Sequence, residues 1–145
     1  MITALLQTAV YALRPMVSYQ AISVGADAFE LGLIASAFAL LSLPLAVSIG
    51  RWVDRWSESW FVIAGATLIF LVCVSLLFID SVWGLALSQA FLGLGHSLTV
   101  IATQTLVANQ ASRESRDGRF GVFTVIVSLG QLIGPAAAGL MAGTA

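Results

Sequence analysis

Apolar runs about twenty residues long, broken by short polar stretches, dominate this chain. A helix that crosses the hydrocarbon core of a bilayer needs about 20 mostly apolar residues. Five segments qualify, at about 2–24, 31–50, 60–79, 82–108 and 120–142. None shows the alternation over about ten residues that marks the strands of a membrane barrel. Backbone groups surrounded by lipid have to pair within their own segment, so the five runs predict helices and an all-α integral membrane protein. The breaks differ in kind. "GADAFE" (25–30) and "IDSV" (79–82) are brief and acidic, whereas "GRWVDRWSES" (50–59) and "NQASRESRDGR" (109–119) are polar and carry arginines.

Composition agrees with the pattern. Hydrophobic residues make up 59% of the 145 and charged residues 9%, against roughly 25% charged in a soluble domain. So few charges do not cover the surface of a water-soluble domain, and the bilayer is the first expected partner. All six cations are arginine and form no basic patch, so nothing points to nucleic acid. Cys73 stands alone within an apolar run, which rules out an internal disulfide, and no metal-ligand spacing occurs. No cofactor and no metal are expected. No carboxylate pair or nucleophile-base arrangement lies in the spans, which speaks against an enzyme. The N-terminus lacks a basic leader, and its apolar stretch outruns the core of a secretory signal. The expectation is a fragment clipped at both ends.

The arginines predict orientation. Arg51 and Arg55 lie between spans two and three, and Arg113, Arg116 and Arg119 between spans four and five. Short arginine-bearing loops stay cytoplasmic. The N-terminus is therefore expected inside, in the inner membrane of a bacterium.

Two spans carry polar stripes. Thr3, Gln7, Tyr11, Arg14 and Ser18 are set four, four, three and four apart on span one, which places them on one helical face. Gln89, His96, Thr103 and Gln110 recur every seven residues along span four. Such stripes are expected to face protein or water rather than lipid. Span three carries only Thr67, Cys73 and Ser75 as weakly polar residues, not in one stripe, which fits a lipid-facing position. Arg14 stands near the middle of span one, followed by Pro15. A charge at that depth costs about 2.5–3.5 kcal/mol on insertion scales and marks a functional candidate. Its roles are to hold an anionic substrate group, to pair with a carboxylate from a segment outside this chain, or to snorkel to the interface. His96, the single histidine, is either a proton-handling group or a hydrogen-bonded packing residue. Gln7, Arg14, Gln89, His96 and Thr103 are thus the candidate cavity residues.

Span five reads "GVFTVIVSLGQLIGPAAAGLMAG", with Gly121, Gly130, Gly134 and Gly139 nine, four and five apart. Gly130 and Gly134 form a pair that lets another helix approach closely. Pro135 removes a backbone donor and is expected to bend the helix.

Together these pieces resemble the N-terminal half of the major facilitator superfamily of secondary transporters. The loop "GRWVDRW" resembles the family's signature Gly-x-x-x-Asp-Arg-x-Gly-Arg, with Gly50, Asp54 and Arg55 in place, Ser57 where the second glycine is usual, and Glu58 for the following basic residue. The stretch "QAFLGLGHS" is similar to the helix-four pattern Arg-x-x-Gln-Gly-x-Gly, with Gly93 and Gly95 matching, Gln89 for the arginine and Leu92 for the glutamine. The array Gly121, Gly130, Gly134-Pro135, Ala138-Gly139 is similar to the antiporter motif of proton-driven drug exporters.

The resemblance implies five of twelve helices, residues 1–145 being part of a six-helix half. It implies a midplane site between two halves, with helices one and four lining the cavity and helix five against the other half. It implies a small-molecule substrate, protons as a possible second partner, and a C-terminal half of the same protein. The functional expectation is efflux by alternating access. The alternatives are uptake of an organic anion anchored by Arg14, and a non-transporting scaffold or sensor. Gly50, Asp54 and Arg55 are expected to act as a cytoplasmic gate, although a helix continuing through that loop would bring Arg51 to Asp54 and Arg55 to Glu58 as local pairs.

Overall fold

The computed structural model describes residues 2–110 and 116–142. Five α-helices follow one another, α1 (Ile2–Ser23), α2 (Ala28–Arg55), α3 (Glu58–Ser75), α4 (Val82–Gln110) and α5 (Arg116–Ala142), with a single 3-10 turn at Leu76–Phe78 after α3. Among the described residues there is no strand. α2 to α5 are each long and apolar enough to cross a membrane, by length and composition. α1 spans 22 residues, and its polar stripe is what keeps its hydropathy lower.

The connections are tight because their chemistry is local. α1 ends where Gly25 takes φ +87°, a conformation that costs a glycine little. The Ala26 N–H then reaches back to the Ala21 carbonyl at 2.9 Å and the Gly25 N–H to Ile22 at 3.0 Å, which satisfies the last carbonyls of the helix. Asp27 follows as a capping box for α2. Its carboxylate accepts from the Glu30 N–H at 2.8 Å, and the Glu30 carboxylate accepts from the Asp27 N–H at 2.9 Å. The brief acidic break is thus a helix stop followed at once by a helix start.

The second break is shorter than its polarity suggests. α2 continues through Gly50, Arg51 and Asp54 to Arg55, and α3 begins at Glu58, so Trp56 and Ser57 alone connect them. Polar residues here extend the helix past the apolar run rather than end it, since neither glycine conformation nor proline interrupts the backbone. Span two is therefore 28–55 in place of about 31–50.

α4 is the centre of the packing. α2 and α3 lie against it on different sides, and α5 lies against α1, which also touches α4. Small residues set these distances. A Cβ at Gly93 would run into the Phe38 carbonyl of α2. A Cβ at Gly65 would meet Thr99 Cγ2 at 2.6 Å and the Gly95 carbonyl at 2.7 Å. α3 buries only Gly65, Ile69 and Val72 in its helical part and leaves Ile63, Phe70, Leu71 and Val74 exposed. It is a peripheral helix with a narrow seam toward α4. The core proper runs along Val10, Val17 and Ala21 of α1, Ile34 and Ala37 of α2, and Leu85, Ala90 and Leu92 of α4.

One polar tie closes this end. The Gln20 amide of α1 donates to the Leu76 carbonyl at 3.1 Å and to the Ile79 carbonyl at 2.8 Å. Those carbonyls belong to the 3-10 turn and the residue after it, where no further helical turn supplies donors.

Candidate functional site

α1 and α4 run in opposite directions, so their two polar series meet in reverse order. Gln89 comes level with Arg14 and Ser18, and His96 comes level with Tyr11. The Tyr11 and His96 rings meet edge to face, with centroids 6.0 Å apart and planes at 83°. Phe38 of α2 reaches the same imidazole at 5.7 Å. The Arg14 guanidinium carbon lies 4.5 Å from the Phe38 ring centre and 6.0 Å from that of Tyr11. Beside this cluster is a cavity of about 160 Å³ lined by Arg14, Pro15, Ser18, Ile34, Ala35 and Gln89.

The electrostatics of Arg14 are one-sided. Among the described residues every carboxylate lies in a connecting segment or in the first or last turn of a helix. Among the described residues Arg14 makes no ion pair, and its guanidinium lies over two rings. Each cation–π contact contributes about 0.5–2 kcal/mol against about 2.5–3.5 kcal/mol for a charge at bilayer depth. The two rings offset part or most of that cost, and they leave the five N–H donors of Arg14 with unused hydrogen-bonding capacity. Gln89 is 3% exposed, lines the cavity, and makes no hydrogen bond among the described residues. Ser18 turns its hydroxyl to the Arg14 carbonyl at 3.3 Å.

The remaining candidates sit elsewhere. Thr103 donates to the Thr99 carbonyl within α4 at 2.6 Å. Gln7 is 2% exposed and lies in the seam with α5, where a Cβ at Gly130 would come 2.7 Å from its own Cβ. Its Oε1 is buried and accepts no hydrogen bond among the described residues, a cost of about 1–3 kcal/mol.

The glycines of α5 divide into two groups. Gly130, Gly134 and Ala138 are buried one turn apart. A Cβ at Gly134 would meet the Ala12 nitrogen and the Thr8 carbonyl at 2.8 Å. The close approach is therefore to α1 of this same chain. Gly121, Pro135 and Gly139 are exposed, and a Cβ at either of these two glycines would meet open space. They form a second face of α5, turned away from α1.

At the other end of α2, Asp54 and Arg55 are exposed and Gly50 is partly buried, with open space where a side chain would be. The local pairs are not formed: among the described residues no ion pair joins Arg51 to Asp54 or Arg55 to Glu58. Glu58 instead accepts from the Asn109 amide at 2.5 Å, tying the start of α3 to the end of α4. Arg113 and the side chain of Arg116 lie outside the described residues.

Three side chains escaped the sequence reading. Phe38 is one apolar residue among many on α2, and only the fold shows that it contacts both Arg14 and His96. Gln131 donates to the Tyr11 hydroxyl at 3.1 Å; a lone amide inside an apolar span was the available signal. Gln20, continuing the polar residues of α1 toward its C-terminus, was visible in the same way.

Comparison with known proteins completes the picture. The sequence model described as Major Facilitator Superfamily matches residues 1–145. An uncharacterized MFS-type transporter of Methanocaldococcus jannaschii is 24% identical over 130 residues, which is 90% of this chain and 34% of that protein. Multidrug resistance protein 2 of Bacillus subtilis is 28% identical over 121 residues, which is 78% of this chain and 28% of that protein. The chain thus spans about a third of the length of these relatives. No solved structure matches it.

Proposed function

This chain belongs to the Major Facilitator Superfamily, and from that premise we propose that the protein is a secondary transporter that exports small amphipathic solutes by alternating access. The observation that carries this reading is the cavity between α1, α2 and α4, with Arg14 and Gln89 in its wall. Arg14 near the middle of α1 has no carboxylate partner among the described residues, and Gln89 in the third turn of α4 is buried beside it. Ionisable groups inside a membrane protein face the bundle interior or a water-filled cavity, which favours a polar path here. In folds of this kind the site lies between two halves that rock about it. α1 and α4 supply this half's wall, and the exposed face of α5 with Gly121, Pro135 and Gly139 is left for further helices.

Export is favoured by the glycine array of α5 and by the Bacillus subtilis relative, whose name states multidrug resistance. The array resembles that of proton-driven exporters, so the proton gradient is the driving force to test first. Five arginines flanking two breaks favour a cytoplasmic N-terminus in a bacterial inner membrane. Asp54, exposed at the end of α2, is assigned to the cytoplasmic gate.

The test is accumulation of fluorescent amphipaths, cationic, neutral and anionic, in a bacterium lacking its major exporters and expressing the full-length protein. Accumulation of at least one dye is expected to fall several-fold, to recover with a protonophore, and to recover with Asp54→Ala at unchanged expression. Unchanged accumulation of every dye overturns export and favours the scaffold or sensor role.

A further inference from the structure

We propose that the cavity between α1, α2 and α4 is a carboxylate subsite, so that the transported solutes include small aromatic or amphipathic acids whose anionic group binds Arg14. The inference deepens the transport reading and rests on it. Three independent features of the cavity agree. Its one charge is a guanidinium without a carboxylate partner among the described residues, and that planar fork matches a carboxylate with two parallel hydrogen bonds. Its second polar group, Gln89, is 3% exposed and its side chain makes no hydrogen bond among the described residues, so its amide has donors to offer the same anion. The rest of the wall is largely apolar, with Pro15, Ile34 and Ala35 lining the cavity, while the Phe38 ring 4.5 Å from the Arg14 carbon backs the guanidinium. A planar apolar body carried by the acid then has these apolar side chains to pack against.

The polarity of the site also excludes the opposite class. An ammonium group entering the cavity would meet Arg14 with no acidic side chain among the described residues at that depth to offset the repulsion. The cavity of about 160 Å³ admits the acid group and a single ring, leaving any larger body to the opposite half. Ser18 adds no strong discrimination, because its hydroxyl already donates to the Arg14 carbonyl.

The experiment is a ligand-dependent melting and calorimetry series on the purified full-length protein, with benzoate as the probe and acetate, benzamide and benzylammonium as comparisons. Benzoate is expected to raise Tm and to bind at least ten-fold more tightly than acetate or benzamide, with benzylammonium inert. Arg14→Gln is expected to abolish the benzoate shift, Arg14→Lys to keep a reduced one, and Gln89→Leu to weaken binding by roughly 2- to 10-fold. The unliganded Tm of each variant separates lost binding from lost folding.

Equal binding of benzoate to the wild type and to a folded Arg14→Gln protein overturns the subsite. So does an inert benzoate in a protein that still exports dye, in which case the transport reading stands alone. A lower unliganded Tm in Arg14→Gln with no benzoate effect on the wild type assigns Arg14 to a carboxylate elsewhere in the protein and also overturns it. Benzoate binding without export of any dye keeps the subsite and removes the export reading.

Discussion

At the residue scale, the sharpest statements concern the glycines, because each either touches another backbone or does not. Gly134→Ala places a methyl 2.8 Å from the Ala12 nitrogen and the Thr8 carbonyl. Backbone cannot rotate away, so α1 and α5 have to separate, at about 1–3 kcal/mol. Gly139→Ala meets open space. In detergent, the full-length Gly134→Ala protein is expected to melt several degrees below the wild type while Gly139→Ala melts within about a degree. Equal melting of the two would show that Gly134 is not in the seam. Gln20→Leu is a second case. It keeps the volume and removes two hydrogen bonds, leaving the carbonyls after α3 without their donor. The expected loss is about 1–3 kcal/mol, read as a lower midpoint on thermal unfolding. Arg14, Gln89 and His96 were legible at this scale from polarity and spacing alone. Phe38 was not, since an apolar residue among apolar residues carries no mark of the cation it contacts.

At the element scale, the order of helices was legible and their ends were less so. Apolar runs set the membrane-spanning part of each helix, but α2 goes on to Arg55 because nothing in Gly50–Arg55 stops a helix. Which helices pair was not legible. The pair Gly130–Gly134 announced a close approach, which the resemblance placed against the other half, whereas the partner is α1. α4 was marked as polar, yet its larger role is to carry Gly93 and Gly95 on two sides so that α2 and α3 both reach its backbone. Gly93→Ala is therefore expected to be the most damaging alanine substitution in the chain, with sharply reduced yield of folded full-length protein by size-exclusion chromatography. Gly50→Ala, which meets nothing within 4 Å, is expected to keep the wild-type yield. A normal yield for Gly93→Ala would contradict the packing of α2 on α4.

At the scale of the whole molecule, one physical argument runs through the chain. Apolar helices lie where lipid is the solvent, as α3 does with its narrow seam and wide exposed face. Polar groups gather where lipid is absent, as they do between α1, α2 and α4. The central claim is that this second region opens to water as the wall of a transport path. Cysteine accessibility tests it most directly, using full-length protein in native membranes with Cys73→Ser as background. Single cysteines replace Ser18 in the cavity wall and Leu71 on the exposed face of α3, and a charged maleimide is offered from both sides of the membrane. The account predicts rapid labelling at position 18 and none at position 71. Labelling at position 71 with none at position 18 would contradict it.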